Sequence, residues 1–121
     1  MAHVRLRKLL VVLFLGVIPL SAGCGTSDAA PATTAVKEIT VTIADGKVTP
    51  PPGRIEVAQG QPVRVTVTSD VADVAHVHGY DKAATLTPGT PGEIRFIADQ
   101  GGLFEVETHE ADLQLFQLVV R

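Results

Sequence analysis

Tryptophan is absent from this 121-residue chain, aromatic residues make up 4% of it, and it has one cysteine, Cys24. So few aromatics argue against a stacking surface for sugars or bases. A single cysteine excludes an intrachain disulfide, so the fold must rest on an apolar core. Basic clusters are also missing after the first few residues. Without residues 1–23, 7 basic residues (10 less Arg5, Arg7 and Lys8) face all 13 acidic ones, a net charge of −6. That balance argues against nucleic acid as a partner. Ser21, Ser27 and Ser69 are the only serines, and none stands in a nucleophile elbow, so hydrolase chemistry drops out. Gly46-Lys47-Val48-Thr49 lacks the upstream glycines and the following helix of a phosphate loop. No stretch sustains a helical period. The length allows one domain, with one modest core.

What is present begins with a secretory pattern over residues 1–23. Arg5, Arg7 and Lys8 form a charged start, and Leu9 to Ile18 form an apolar run. The run is shorter than the roughly 20 residues that a membrane-spanning helix needs. Pro19 then precedes Leu20-Ser21-Ala22-Gly23-Cys24. This ending resembles a bacterial lipobox, with Ser21 where the leucine usually stands and Leu20 one residue further back. The resemblance implies cleavage before Cys24, lipidation of its sulfur, and an extracytoplasmic domain held to the membrane lipid by acyl chains. Residues 24–35, small and polar, read as a flexible tether.

Residues 36–121 follow period two. Ile39, Val41 and Ile43 alternate with threonines, and Val63, Val65 and Val67 alternate with Arg64, Thr66 and Thr68. Shorter runs surround Ile55 and Val57, Ile94 and Phe96, Phe104 and Val106, and Phe116, Leu118 and Val120. A histidine strand is expected over about Val74–Tyr80. Asp45-Gly46, Thr49 to Gly53, the segment from Asp81 to Gly92, and Asp99 to Gly102 read as turns or loops. Seven or so short strands between Gly/Pro turns predict an all-β, Greek-key β-sandwich.

Three histidines follow the tether: His76, His78 and His109. His76 and His78, two residues apart on a strand, share a face. Together with His109 they could supply three imidazole nitrogens, and Glu107, Glu110, Asp81 or water could complete a shell. Such donors suit Cu(II) or Zn(II), copper standing higher in the affinity order. A solvated or hydrogen-bonded face without metal is the competing expectation, and Glu105 and Glu107 fit it readily.

The order of these segments resembles the cupredoxins, in particular the cupredoxin-like domains of exported bacterial proteins such as the iron-uptake protein EfeO. The likeness covers about residues 37–121. It is carried by Gly53-Arg54-Ile55-Glu56-Val57-Ala58-Gln59-Gly60 with the valine strand after it, the mid-chain histidines, and Gly102-Leu103-Phe104 through His109. In that family a type 1 copper takes a histidine from the mid-chain strand. A cysteine, a second histidine three residues on, and a weak axial ligand come from the C-terminal loop. The resemblance puts His76 or His78 in the first place, His109 in the second and Gln114 in the axial one. Val106 stands where the cysteine should be. Valine has no donor atom, so a blue electron-transfer site is not expected. A non-blue nitrogen and oxygen site remains, in a binding protein that is not an enzyme and that sequesters copper or another divalent metal or delivers it to a metal-handling protein. The alternatives are a metal-free interaction or accessory module at the cell surface and, behind it, an electron-transfer protein, against which the missing thiolate counts.

Overall fold

The structure, a computed structural model, describes residues 35–121 together with Gly23 and Gly25. The predicted signal segment, Cys24 and the tether otherwise lie outside the described residues. Nine strands and no helix are found among those described. They are β1 (Lys37–Ala44), β2 (Lys47–Thr49), β3 (Arg54–Val57), β4 (Pro62–Ser69), β5 (Asp73–Val77), β6 (Lys82–Leu86), β7 (Gly92–Ile97), β8 (Gly102–Thr108) and β9 (Gln114–Val120).

Two mixed sheets face each other, one in the order β2-β1-β4-β7 and one in the order β3-β9-β8-β5-β6. The chain passes repeatedly from one sheet to the other. Its crossovers leave β1 parallel to β4 and β3 parallel to β9, while β5–β6 and β8–β9 are antiparallel hairpins. The expected Greek-key sandwich is therefore the fold. Alternation places the apolar set inside. Val65, Val67, Ala75, Val77, Val106 and Leu118 have no exposed surface. Their intervening neighbours face solvent.

Two strands exceed the sequence expectation. The three residues of β2 are too few for a period-two signal. Asp45 and Gly46, both with positive φ, turn the chain back so that β2 pairs with β1. β6 falls inside the expected loop from Asp81 to Gly92. Its Lys-Ala-Ala-Thr-Leu sequence has weak strand propensity, and pairing with β5 fixes it in place.

The sandwich is capped at the β5–β6 turn by Tyr80, whose ring packs 4.8 Å from Phe96 and 4.7 Å from Phe104. Its hydroxyl donates to the Gln100 carbonyl at 2.8 Å and accepts from the Gln100 amide at 3.0 Å. Gly79 makes this turn workable. Its φ is +88°, and a Cβ there would come 2.7 Å from the Phe104 ring. β5 therefore ends at Val77, and His78 lies one residue beyond it at the start of the turn.

Candidate metal centre on the outer sheet face

Strand parity decides where the histidines go. Asp73, Ala75 and Val77 of β5 point into the sandwich, so His76 and His78 point outward. The register sets His76 between Ala83 of β6 and Glu107 of β8. Ala83 is small and leaves the space beside the imidazole open. Glu107 stands at an irregularity. Between Val106 and Glu107 the β8–β9 register shifts, so that Val106 faces Phe116 and Glu107 faces Gln114. β9 thus carries an additional residue, Leu115, which is buried beside Phe116, and Gln114 and Glu107 keep the outer face.

On that face one donor atom each from His76, His78 and Glu107 lie within 4.8 Å of one another. The His78 Nδ1 to Glu107 Oε1 distance is 3.9 Å. A metal bound about 2.0–2.2 Å from its nitrogen and oxygen ligands allows donors up to about 4 Å apart. Small side-chain rotations at an exposed site would therefore close the set on one ion, and the donor chemistry fits copper or zinc. His109 stands one step outside. Its ring lies 5.0 Å from that of His76, edge-on, and the His76 and His78 rings are 5.8 Å apart. The backbone amide of His109 donates to the Val74 carbonyl at 3.0 Å, which ties the loop residue to the histidine strand.

The other predicted ligands have different neighbours. Gln114 donates to the Glu105 carboxylate, and Gln117 donates to the same carboxylate at 2.7 Å. Hydrogen bonds from Gln117 and then Gln114 hold the Glu105 carboxyl below its ordinary range, with smaller contributions from Arg54 and His78. Glu110 is exposed, and its described contact is a backbone one to Asp73. Val106 is fully buried on the inner face of β8, opposite Val77. The position that the cupredoxin pattern gives to cysteine thus lies on the other side of the sheet from His76, His78 and Glu107.

Sequence reasoning missed Asp73. Only 5% exposed, it closes the C-terminal loop from below. Its carboxylate accepts from the amides of Val74 at 2.7 Å, Glu110 at 2.8 Å and Ala111 at 3.1 Å. Burial pushes the carboxyl up, but these amides and the Thr108 hydroxyl outweigh it and leave the group below its ordinary range. The Thr108 oxygen in turn accepts from the Leu113 amide at 3.1 Å. The signal was available: Asp73 shares parity with Ala75 and Val77, which places a carboxylate in a core row.

Sequence comparison finds no matching family profile and no matching curated protein. Solved structures do match. A blue copper oxidase from Nitrosomonas europaea superimposes with a TM-score of 0.59 at 13% identity, over 72% of this chain and 44% of that one. Fet3p, a multicopper oxidase that functions in iron import, gives 0.58 at 17% identity over 72% of this chain. This chain spans only 23% of Fet3p. A copper-binding protein solved in the apo form gives 0.58 at 19% identity, over 74% of this chain and 92% of that one. At these identities the likeness shows the fold, a cupredoxin-like β-sandwich.

Proposed function

We propose that this domain binds a divalent metal, copper in first place and zinc in second, through His76, His78 and Glu107 on the outer face of the five-stranded sheet, with His109 as a further ligand. The observation that carries this function is the approach of three donors to within 4.8 Å. Likeness to copper proteins supports copper as the ion, and neutral imidazoles beside one carboxylate suit Cu(II). The chemistry is binding and transfer rather than catalysis. No cysteine is available for a blue centre within residues 35–121. The lipobox-like ending at Cys24 supports a lipid-anchored, extracytoplasmic protein that sequesters the ion or passes it to a metal-handling partner.

Titrating Cu(II) into the protein and into its His78→Ala and His109→Ala variants tests this. Tight binding by the wild type, weakened by His78→Ala, is the expected result. Equal and negligible affinity in all three would refute it. Replacing Cys24 with serine should release the protein from membranes into the soluble fraction.

One observation favours a metal-free interaction module instead. Asp73 fastens the 109–113 loop through hydrogen bonds alone, so the loop end needs no ion to hold its shape. On that account the histidines would be a solvated face, and the same titration separates the two functions.

A further inference from the structure

We propose, building on the metal-binding function above, that the face formed by His76, His78 and Glu107 takes copper as Cu(II) and loses it as Cu(I), so that reduction is the release step. The donor set points this way. Imidazole nitrogen and carboxylate oxygen hold Cu(II), whereas thiolate and thioether sulfur select Cu(I). The chain contains one methionine, Met1, and one cysteine, Cys24, so the domain of residues 35–121 has no sulfur at all. The register neighbours of His76 are Ala83 and Glu107, one without a donor and one with a hard oxygen. The charge of Glu107 attracts a dication about twice as strongly as a monocation at the same distance. Among the described residues no sulfur donor lies on the face to compensate when copper loses a charge.

Exposure supplies the other requirement. The side chain of His78 is 70% exposed and that of Glu107 is 36% exposed, so a small reductant and an acceptor can both reach the ion. An enediol such as ascorbate supplies one electron to each of two Cu(II) ions and releases its protons to the solvent. No covalent bond of the protein changes. The coordination bonds from His76, His78, Glu107 and His109 break, and Cu(I) leaves for an acceptor bearing thiolate or thioether groups.

The test uses the full-length protein loaded with Cu(II) and freed of excess ion, held anaerobically with an aromatic-diimine chelator of Cu(I). Ascorbate should transfer all the bound copper to the chelator and abolish the paramagnetic resonance of bound Cu(II). Without ascorbate the protein should keep its copper. Ala83→Met sets a thioether directly across from His76, where paired residues have Cβ atoms about 5 Å apart. This variant should keep its copper after reduction under conditions that empty the wild type. Retention of reduced copper by the wild type, or equal loss from both proteins, would overturn reductive release while leaving Cu(II) binding intact. Failure to load Cu(II) at all would overturn the binding function and this step with it.

Discussion

The two sheets turn outer faces to solvent that share one alternation but carry their charges differently. On the four-stranded sheet the carboxylates meet arginines: Glu38 lies 3.5 Å from Arg64, and Glu93 lies 2.8 Å from Arg95. One edge of the five-stranded sheet repeats this, with Glu56 and Arg121 at 2.6 Å. Towards β5 the pattern changes. Among the described ion pairs, that of Glu107 is with His78, at 3.9 Å. Arginine is a permanent cation that donates hydrogen bonds and leaves no lone pair for a metal. Neutral imidazole is itself a ligand. The Glu93 and Glu56 carboxylates are already satisfied by hydrogen bonds from their arginines, whereas Glu107 beside two imidazoles joins a set of three donors open to one ion.

The strongest way to break this contrast is to remove the imidazoles. His76→Ala with His78→Ala should abolish Cu(II) binding, and each single change should weaken it by at least the roughly 10–100-fold that even an outer-shell change costs. Arg64→Ala and Arg95→Ala on the opposite sheet should leave the affinity unmoved. Isothermal titration of these five variants and the wild type checks this. Comparable losses from both faces would mean that the affinity is a diffuse effect of surface charge.

Asp73 separates binding from folding. Asp73→Ala leaves the amides of Glu110 and Ala111 and the Thr108 hydroxyl without their acceptor. It should destabilise the domain by about 3 kcal/mol, the worth of one or two charge-assisted hydrogen bonds with a desolvation penalty. Chemical denaturation reads the loss. The pH dependence follows from the direction of the shift. Because the folded carboxyl is held below its ordinary value, the stabilisation is fully present above about pH 4 and is lost as pH falls through the lower folded value. Asp73→Asn should flatten that acid limb of the stability curve.

A smaller effect on stability is expected where the family pattern would put a copper cysteine. Val106→Cys is close to volume-conserving in a packed row and should cost less than about 1.5 kcal/mol. It should not create an intense visible absorption with Cu(II), since the new thiol would face Val77 inside the sandwich while the histidines remain outside. A blue protein from this single change would show that the two sides of β5 and β8 communicate, and the contrast between inner row and outer face would fail.

Much of the architecture was legible because alternation is a strong signal when one face is buried. Ile39, Val41 and Ile43, and likewise Val63, Val65 and Val67, mark strands and their inner faces at once. β6 was illegible because Lys82 to Thr85 carry no apolar alternation, and only pairing with β5 makes them a strand. At the site, parity correctly put His76 and His78 on one face. Loop spacing could not say which of Glu107, Glu110, Gln114 and His109 would approach them. That choice depends on the Val106/Glu107 irregularity and on Asp73 holding the loop, both of which are properties of paired strands.

The least change of all is expected from Glu93→Gln, and it sharpens the comparison when set beside Glu107→Gln. Both residues lie on outer strand faces, and neither contributes to the core. Arg95 holds the Glu93 carboxyl below its ordinary range through direct hydrogen bonds, yet the pair is solvent-screened and its loss should not move the denaturation midpoint measurably. Glu107→Gln should likewise leave the midpoint in place, since its partner His78 is largely exposed. Their Cu(II) titrations should differ. Glu93→Gln should match the wild type, and Glu107→Gln should bind more weakly because an anionic oxygen has been exchanged for a neutral amide. Identical titrations would reduce Glu107 to one more surface acid and leave the two histidines to hold an ion alone.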